Sequence, residues 1–306
     1  MKGIITKSTG SWYNVRDEKG DEIRCRIKGK IRLDDLKHTN PVAVGDVVHF
    51  EMEEGREDGV IKLIEPRRNY IIRKSSNLSK QTHIIASNLD QAILIATLVH
   101  PKTSLGFIDR FLLTTEAYHI PAIIIFNKSD LCGGGLKEIL DDTISIYKNI
   151  GYQSMLCSAK KQTNIDLVSD LLTNKTSLII GHSGVGKTSL LNLIEPSLKL
   201  KTSEISNYSG KGKHTTTFAE MFELSKGGFI IDTPGIKEFG VVDFATNEIS
   251  HYFKEMQPLI GSCKFNNCIH LNEPGCAVKS AVEEGKIREE RYESYLSILN
   301  NQDVFE

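Results

Sequence analysis

The chain has 306 residues, and its 38 lysines and arginines are balanced by 39 aspartates and glutamates, giving a formal net charge of −1. That balance provides no global attraction to polyanions, and the length suggests two or three domains. Apolar runs are only strand-length and no signal-peptide pattern is present, so no membrane span is expected. Cys25, Cys132 and Cys157 are scattered, which fits a reduced, cytoplasmic protein.

Short strands are expected at residues 3–7, 11–15, 22–33, 46–52 and 59–64, with turn signals at 17–21 and 41–45. This pattern suits an all-β OB-type barrel over residues 1–66. In the third strand Arg24, Arg26, Lys28, Lys30 and Arg32 alternate with Cys25, Ile27, Gly29, Ile31 and Leu33. A period of two places the cations on one face. Such a stripe can follow a phosphate backbone, which makes these five residues candidate RNA contacts; a solvated face is the alternative. Residues 67–90, opening with Arg67-Arg68-Asn69, read as a linker.

From 91 to 240 buried strands run into loops that carry chemistry, as in an α/β nucleotide-binding domain. A strand at 91–97 is followed by Ala122-Ile123-Ile124-Ile125-Phe126, which leads into Asn127-Lys128-Ser129-Asp130. Asp130 can accept both N1–H and the 2-amino group of guanine, a bidentate contact adenine cannot offer. Lys128 would lie across the base, and Asn127 would tie this loop to the phosphate loop. Ser158-Ala159-Lys160 follows Ser154-Met155-Leu156-Cys157 and would give a backbone N–H to the guanine oxygen.

Ser177-Leu178-Ile179-Ile180 then opens onto Gly181-His182-Ser183-Gly184-Val185-Gly186-Lys187-Thr188, which fits G-x-x-x-x-G-K-[ST] without a mismatch. A helix is expected from Ser189 to a stop at Pro196, and Ser189 joins the candidate nucleotide contacts. Backbone N–H groups and the helix N-terminus would cradle the phosphates, Lys187 would bridge the β- and γ-phosphates, and Thr188 would bind Mg²⁺. Gly210-Lys211-Gly212-Lys213-His214-Thr215-Thr216-Thr217 has the composition of a first switch. Thr216 is the candidate for its Mg²⁺-seeking hydroxyl, with Thr215 beside it. Phe229-Ile230-Ile231 ends in Asp232-Thr233-Pro234-Gly235, where Asp232 suits a water-mediated Mg²⁺ ligand and Gly235 can offer its N–H to the γ-phosphate. Ile236 stands where Ras-type switches carry a water-orienting glutamine, so intrinsic hydrolysis should be slow. His214 is the local candidate for orienting water; the alternative is a group supplied by the partner.

Residues 241–306 form a third, mostly helical segment. Cys263, Cys268, His270 and Cys276 cluster among turn-forming residues and suit a tetrahedral structural Zn²⁺ site, the alternative being buried cysteines beside a surface histidine. A charged helix is expected over 283–299.

These nucleotide motifs stand in rotated order: base readers first, phosphate and Mg²⁺ groups after. With the barrel before them and the cysteine knuckle behind, the chain resembles the bacterial RsgA (YjeQ/YloQ) family along its whole length. The resemblance implies a circularly permuted GTPase that acts late in maturation of the small (30S) ribosomal subunit. It further implies stimulation by that subunit and its 16S rRNA, and release once GTP is hydrolysed to GDP. The expected cofactors are one structural Zn²⁺ per chain and Mg²⁺ with GTP, and the chain is taken as a monomer. The runner-up reading is an RNA-binding, nucleotide-sensing scaffold in which turnover is not the main output.

Overall fold

The computed structural model describes residues 1–27, 42–74, 82–200, 219–232 and 244–300. Lys28, Lys30, Arg32, His214, Thr216, Gly235 and Ile236 therefore lie outside the described residues.

The N-terminal strands are β1 (Lys2–Ser8), β2 (Tyr13–Asp17), β3 (Glu22–Ile27), β4 (Val47–Met52) and β5 (Gly59–Ile64). They pair in the order β1-β2-β3-β5-β4, and β4 returns to β1, so the sheet closes into a barrel. Closure removes free edges and lets alternate residues fill the interior. Ile5, Val15, Cys25, Val48, Phe50 and Ile61 supply that core.

Where a linker was expected, β6 (Tyr70–Lys74) and β7 (Thr82–Ser87) form an antiparallel hairpin. Its Ile71 and Ala86 join the same apolar cluster as helix residues of the central domain. The barrel is tied to this hairpin through Asp46, which is fully buried, takes two hydrogen bonds from Arg67 (2.6 and 2.7 Å) and one from Ser87 Oγ (2.6 Å). The polar run between the two strands hides the pattern: the hairpin's apolar stretches are too short to stand out alone.

The central strands are β8 (Gln91–Ala96), β9 (Ala122–Phe126), β10 (Gln153–Leu156), β11 (Thr176–Ile180), β12 (Glu220–Glu223) and β13 (Phe229–Asp232). They run in the order β10-β9-β8-β11-β13-β12, parallel except for β12. Every residue of β8 is buried, as expected for a strand covered on both faces. Leu94 and Ala96 pack toward α1 (Leu105–Ala117) and α2 (Gly135–Asn149). Ile93 and Ile95 pack toward α3 (Ile165–Leu172) and α4 (Lys187–Ile194). At the far edge β12 pairs with β1 of the barrel through Lys7 and Glu220, flanked by the ion pair Arg16–Glu223. One sheet thus continues from the nucleotide domain into the barrel.

The C-terminal segment carries short 3-10 turns, then α5 (Ala277–Glu283) and α6 (Glu289–Leu299). Its core of Ile249, Phe253, Met256, Val278 and Tyr295 also includes Leu113 of α1, so it rests directly on the central domain. No helix among the described residues is long and apolar enough to cross a membrane.

Candidate functional site

Parallel strands of an open α/β sheet place their C-terminal ends on one side, and ligands bind in the crevice there. The ends of β9, β10, β11 and β13 deliver Asn127, Ser158, Gly181 and Asp232 to that side in this protein. Asn127, nearly fully buried, is the knot between three of these loops. Its Nδ2 donates to the Val185 carbonyl in the phosphate loop (2.8 Å), and its Oδ1 accepts from the Ala159 N–H (3.1 Å). A Cβ on Gly186 would lie 2.4 Å from that same Nδ2, and Gly186 has φ +94°, so both space and conformation require glycine there. Cys157 Sγ also reaches Asn127 Oδ1 (3.4 Å), a contact that its scattered position in the sequence does not signal.

Asp130 accepts a hydrogen bond from Ser158 Oγ at 2.5 Å, which fixes the carboxylate at the mouth of the cleft. Lys128 sits in the left-handed region (φ 61°) and donates to the His100 carbonyl. The cleft, about 610 Å³, is lined by Lys128, Asp130, Leu131, Lys160, Ser189 and Leu193. Its size and mostly apolar walls, with Asp130 and the two lysines as polar groups, suit a nucleoside. Ser129 opens the short 3-10 turn that carries Asp130. The loop between β8 and α1 lies beside the phosphate loop, where a Cβ on Gly184 would meet Pro101 Cδ at 3.5 Å; no motif in the sequence marks that approach.

The phosphate loop winds back on itself around Lys187. The ammonium donates to the Gly181 carbonyl (2.5 Å) and the His182 carbonyl (3.0 Å). Burial lowers its pKa while the nearby Asp232 carboxylate opposes the shift, which places Asp232 within electrostatic reach of the loop. Thr188 and Ser189 stand in the first turn of α4, and Ser183 and Gly184 are exposed at the loop's tip. Thr188 hydroxyl and Asp232 carboxylate are hard oxygen donors, the set that a hydrated Mg²⁺ takes. The described part of the loop, between the N-terminus of α4 and the strand ends, thus offers backbone N–H groups, an ammonium and hard oxygen donors on one side of the sheet.

Away from this cleft, the ligand atoms of Cys263, Cys268, His270 and Cys276 all lie within 4.8 Å of one another. His270 Nδ1 is 3.6, 3.5 and 3.4 Å from the three sulfurs, and the Cys263 and Cys276 sulfurs are 4.0 Å apart. A tetrahedral Zn²⁺ with ordinary bond lengths needs separations of about 3.5 Å for S···N and about 3.8 Å for S···S. The residues fit the metal. The Ala277 and Lys279 N–H groups donate to the Cys263 and Cys276 sulfurs (3.3 and 3.5 Å), which favours thiolates. Burial pushes the Cys268 thiol up to about 12, so its ligating form calls for a cation's charge. Outside the ligands, Glu273 accepts from the Ile269 and Leu271 N–H groups, both at 2.9 Å. Tyr295 and Tyr292 of α6 donate to the carbonyls of Ile269 and His270 (2.6 and 2.7 Å).

On the barrel, two of the five cations expected to contact RNA are described. The Arg24 guanidinium stacks over Trp12 at 3.7 Å from the ring centroid. Arg26 is held by both oxygens of Glu53 (2.8 and 2.7 Å). Arg24 is thus presented beside an aromatic face, and Arg26 is engaged within the barrel.

Family comparisons follow this layout closely. A model described as RsgA GTPase matches residues 64–242, and one described as RsgA N-terminal domain matches residues 2–61. A protein of Christiangramia forsetii named "Small ribosomal subunit biogenesis GTPase RsgA" is 54% identical over 99% of this chain and 97% of its own. One of the same name from Flavobacterium johnsoniae is 52% identical over 99% and 94%. The crystal structure of YjeQ from Thermotoga maritima superposes with TM-score 0.78 at 33% identity, covering 98% of this chain and 97% of that one. That of YloQ, described as a circularly permuted GTPase, gives 0.75 at 32% identity, covering 98% and 94%. The rotated motif order, the sheet that gathers those motifs into one cleft, and these matches place the chain in the RsgA family of circularly permuted GTPases.

Proposed function

We propose that this protein hydrolyses GTP as a maturation factor of the small ribosomal subunit, binding the subunit in the GTP state and leaving it after hydrolysis. The observation that carries the nucleotide half is the Asn127 knot, which joins the base-reading loop, the Ser158 strand end and the phosphate loop around one cleft. The ribosomal half is supported by relatives named for small-subunit biogenesis that match 99% of the chain.

In this reading Asp130 selects guanine, oriented by Ser158, while the Ala159 and Lys160 backbone meets the guanine oxygen. Gly181 to Gly186 cradle the phosphates, and Lys187 exchanges its two carbonyl partners for phosphate oxygens. That exchange replaces weak neutral acceptors with charged ones. Thr188 and Asp232 hold Mg²⁺, which supplies charge neutralisation at the β- and γ-phosphates when bound; Thr216 and Gly235 complete the γ-phosphate contacts. His214 orients the attacking water, because Ile236 has no polar atom to do so. Cys263, Cys268, His270 and Cys276 hold a structural Zn²⁺ with no open position for chemistry. The barrel face bearing Arg24, Arg26, Lys28, Lys30 and Arg32 meets 16S rRNA, and the protein works as a cytoplasmic monomer.

Co-sedimentation with purified small subunits tests this reading. The protein should pellet with subunits in a non-hydrolysable GTP analogue and stay in the supernatant with GDP. Equal pelleting in both states would favour the scaffold reading, for which Ile236 is the motivating residue.

A further inference from the structure

We infer that Phe107 is a positioning residue for the phosphate loop: its ring, standing on helix α1, props His182 and thereby seats Lys187. The inference rests on the nucleotide reading of that loop. Phe107 is 7% exposed, and its ring centroid lies 3.9 Å from that of the half-buried His182, with the planes tilted by 38°. His182 is the second residue of the phosphate loop. Its carbonyl accepts from both the Lys187 ammonium (3.0 Å) and the Val185 N–H (3.4 Å), so the backbone at His182 helps define where the ammonium rests. Asn127 holds one side of the loop through the Val185 carbonyl, and Phe107 holds the other through the His182 ring. Burial and the neighbouring Lys187 charge depress the His182 pKa, which keeps the stacked imidazole neutral at neutral pH.

The helix under Phe107 is a firm support. Asp109, buried to 1% exposure, accepts from Arg291 of α6 and from Tyr147 Oη of α2 (2.9 Å). Arg291, itself 2% exposed, also gives Nε to Glu255 at 2.6 Å and Nη2 at 3.1 Å. One turn further on, Leu113 lies in the apolar core of the C-terminal module. Helix α1 is therefore fixed both to α2 and to the C-terminal segment, and a ring mounted on it holds a glycine-rich loop in one place. Loops of this kind sample many conformations unless something outside them selects one. Preorganisation of this sort appears as affinity and as correct placement of a charged group.

The test uses the full chain with its metal retained, and compares Phe107→Ala, Phe107→Leu, His182→Ala and the Phe107→Ala/His182→Ala pair. Affinities for a fluorescent GDP analogue and single-turnover GTP hydrolysis are the readouts. An aromatic pair of this geometry corresponds to about three- to tenfold in an equilibrium constant, so each single variant should bind GDP that much more weakly. The double variant should be no worse than the weaker single one, since both remove the same contact. Phe107→Leu keeps the apolar volume and should hold the fold, yet still lose the affinity. Preference for GTP over XTP should stay as in the parent, because the Asp130 loop is not touched. Parental affinity in Phe107→Ala, restoration by leucine, or additive losses in the double variant would each overturn the inference. A parent chain that binds no GDP would instead overturn the nucleotide reading.

Discussion

The nucleotide cleft and the cysteine cluster are assembled on opposite plans. Asn127, Ser158, Lys187 and Asp232 are distant in the chain, and the parallel sheet brings them together at strand ends. Cys263, Cys268, His270 and Cys276 are near neighbours in sequence, on turns supported by α6 and a small apolar core. The cleft's geometry is held by a large fold that exists without ligand. On the proposed reading, the cluster's geometry would depend on the Zn²⁺ that its four ligand atoms hold. Substitutions in the cleft should therefore change affinity and rate while leaving stability alone, whereas substitutions in the cluster should change folding first.

Losing the metal has the largest expected effect. Structural zinc contributes about 10–16 kcal/mol of coupled folding free energy in small domains. Cys268→Ala should lose the one equivalent of zinc expected per chain and expose 244–300 to limited proteolysis, while elemental analysis of the parent finds the metal. A Cys268→Ala chain that keeps the parent's protease resistance would break the contrast between the two plans.

Next comes Arg291→Met, which removes the cation shared by Asp109 and Glu255. Breaking one member of a buried ion network costs about 3–5 kcal/mol. Denaturant unfolding should show that loss, with GDP affinity falling too because α1 supports the phosphate loop. A change under about 1 kcal/mol, typical of exposed pairs, would mean that the junction is solvated.

Within the cleft, Lys187→Ala should slow single-turnover hydrolysis by about a hundred- to a thousandfold, as for loss of a charge-stabilising donor. Its unfolding midpoint should match the parent's. Smaller again, Asp130→Asn should weaken GTP binding by about ten- to a hundredfold and favour XTP, whose ring offers a carbonyl where guanine has an amine. Unchanged GTP affinity would show that another residue reads the base.

The same contrast explains what the sequence made legible. Asn127 to Asp130, Gly181 to Thr188 and the cysteine spacing are local words whose chemistry fixes residue types, so they could be read without a fold. The barrel's strands showed through their alternation and turns, although β2 lies at Tyr13–Asp17, two residues beyond the expected span. What stayed hidden was pairwise and distant. Phe107 with His182, Asp109 with Arg291, and Asp46 with Arg67 join positions no motif connects. Tyr70-Ile71-Ile72 and Ile84-Ile85-Ala86 are each too short to signal a strand alone, yet pairing them makes a hairpin that packs on the central core. The cation stripe was only half a signal: alternation placed Arg24 and Arg26 together, but Glu53, which engages Arg26, comes from beyond β4.

On the proposed reading this cleft should turn over GTP slowly alone and faster on the small subunit, because the Ile236 side chain has no polar atom with which to position water. The most direct test is multiple-turnover GTP hydrolysis by the purified protein, with and without purified small ribosomal subunits, using Lys187→Ala as the blank. A low intrinsic rate, a clear rise with small subunits, and no rise with large subunits or with the blank are expected. Turnover that is equally fast without subunits, or absent in their presence, would contradict it.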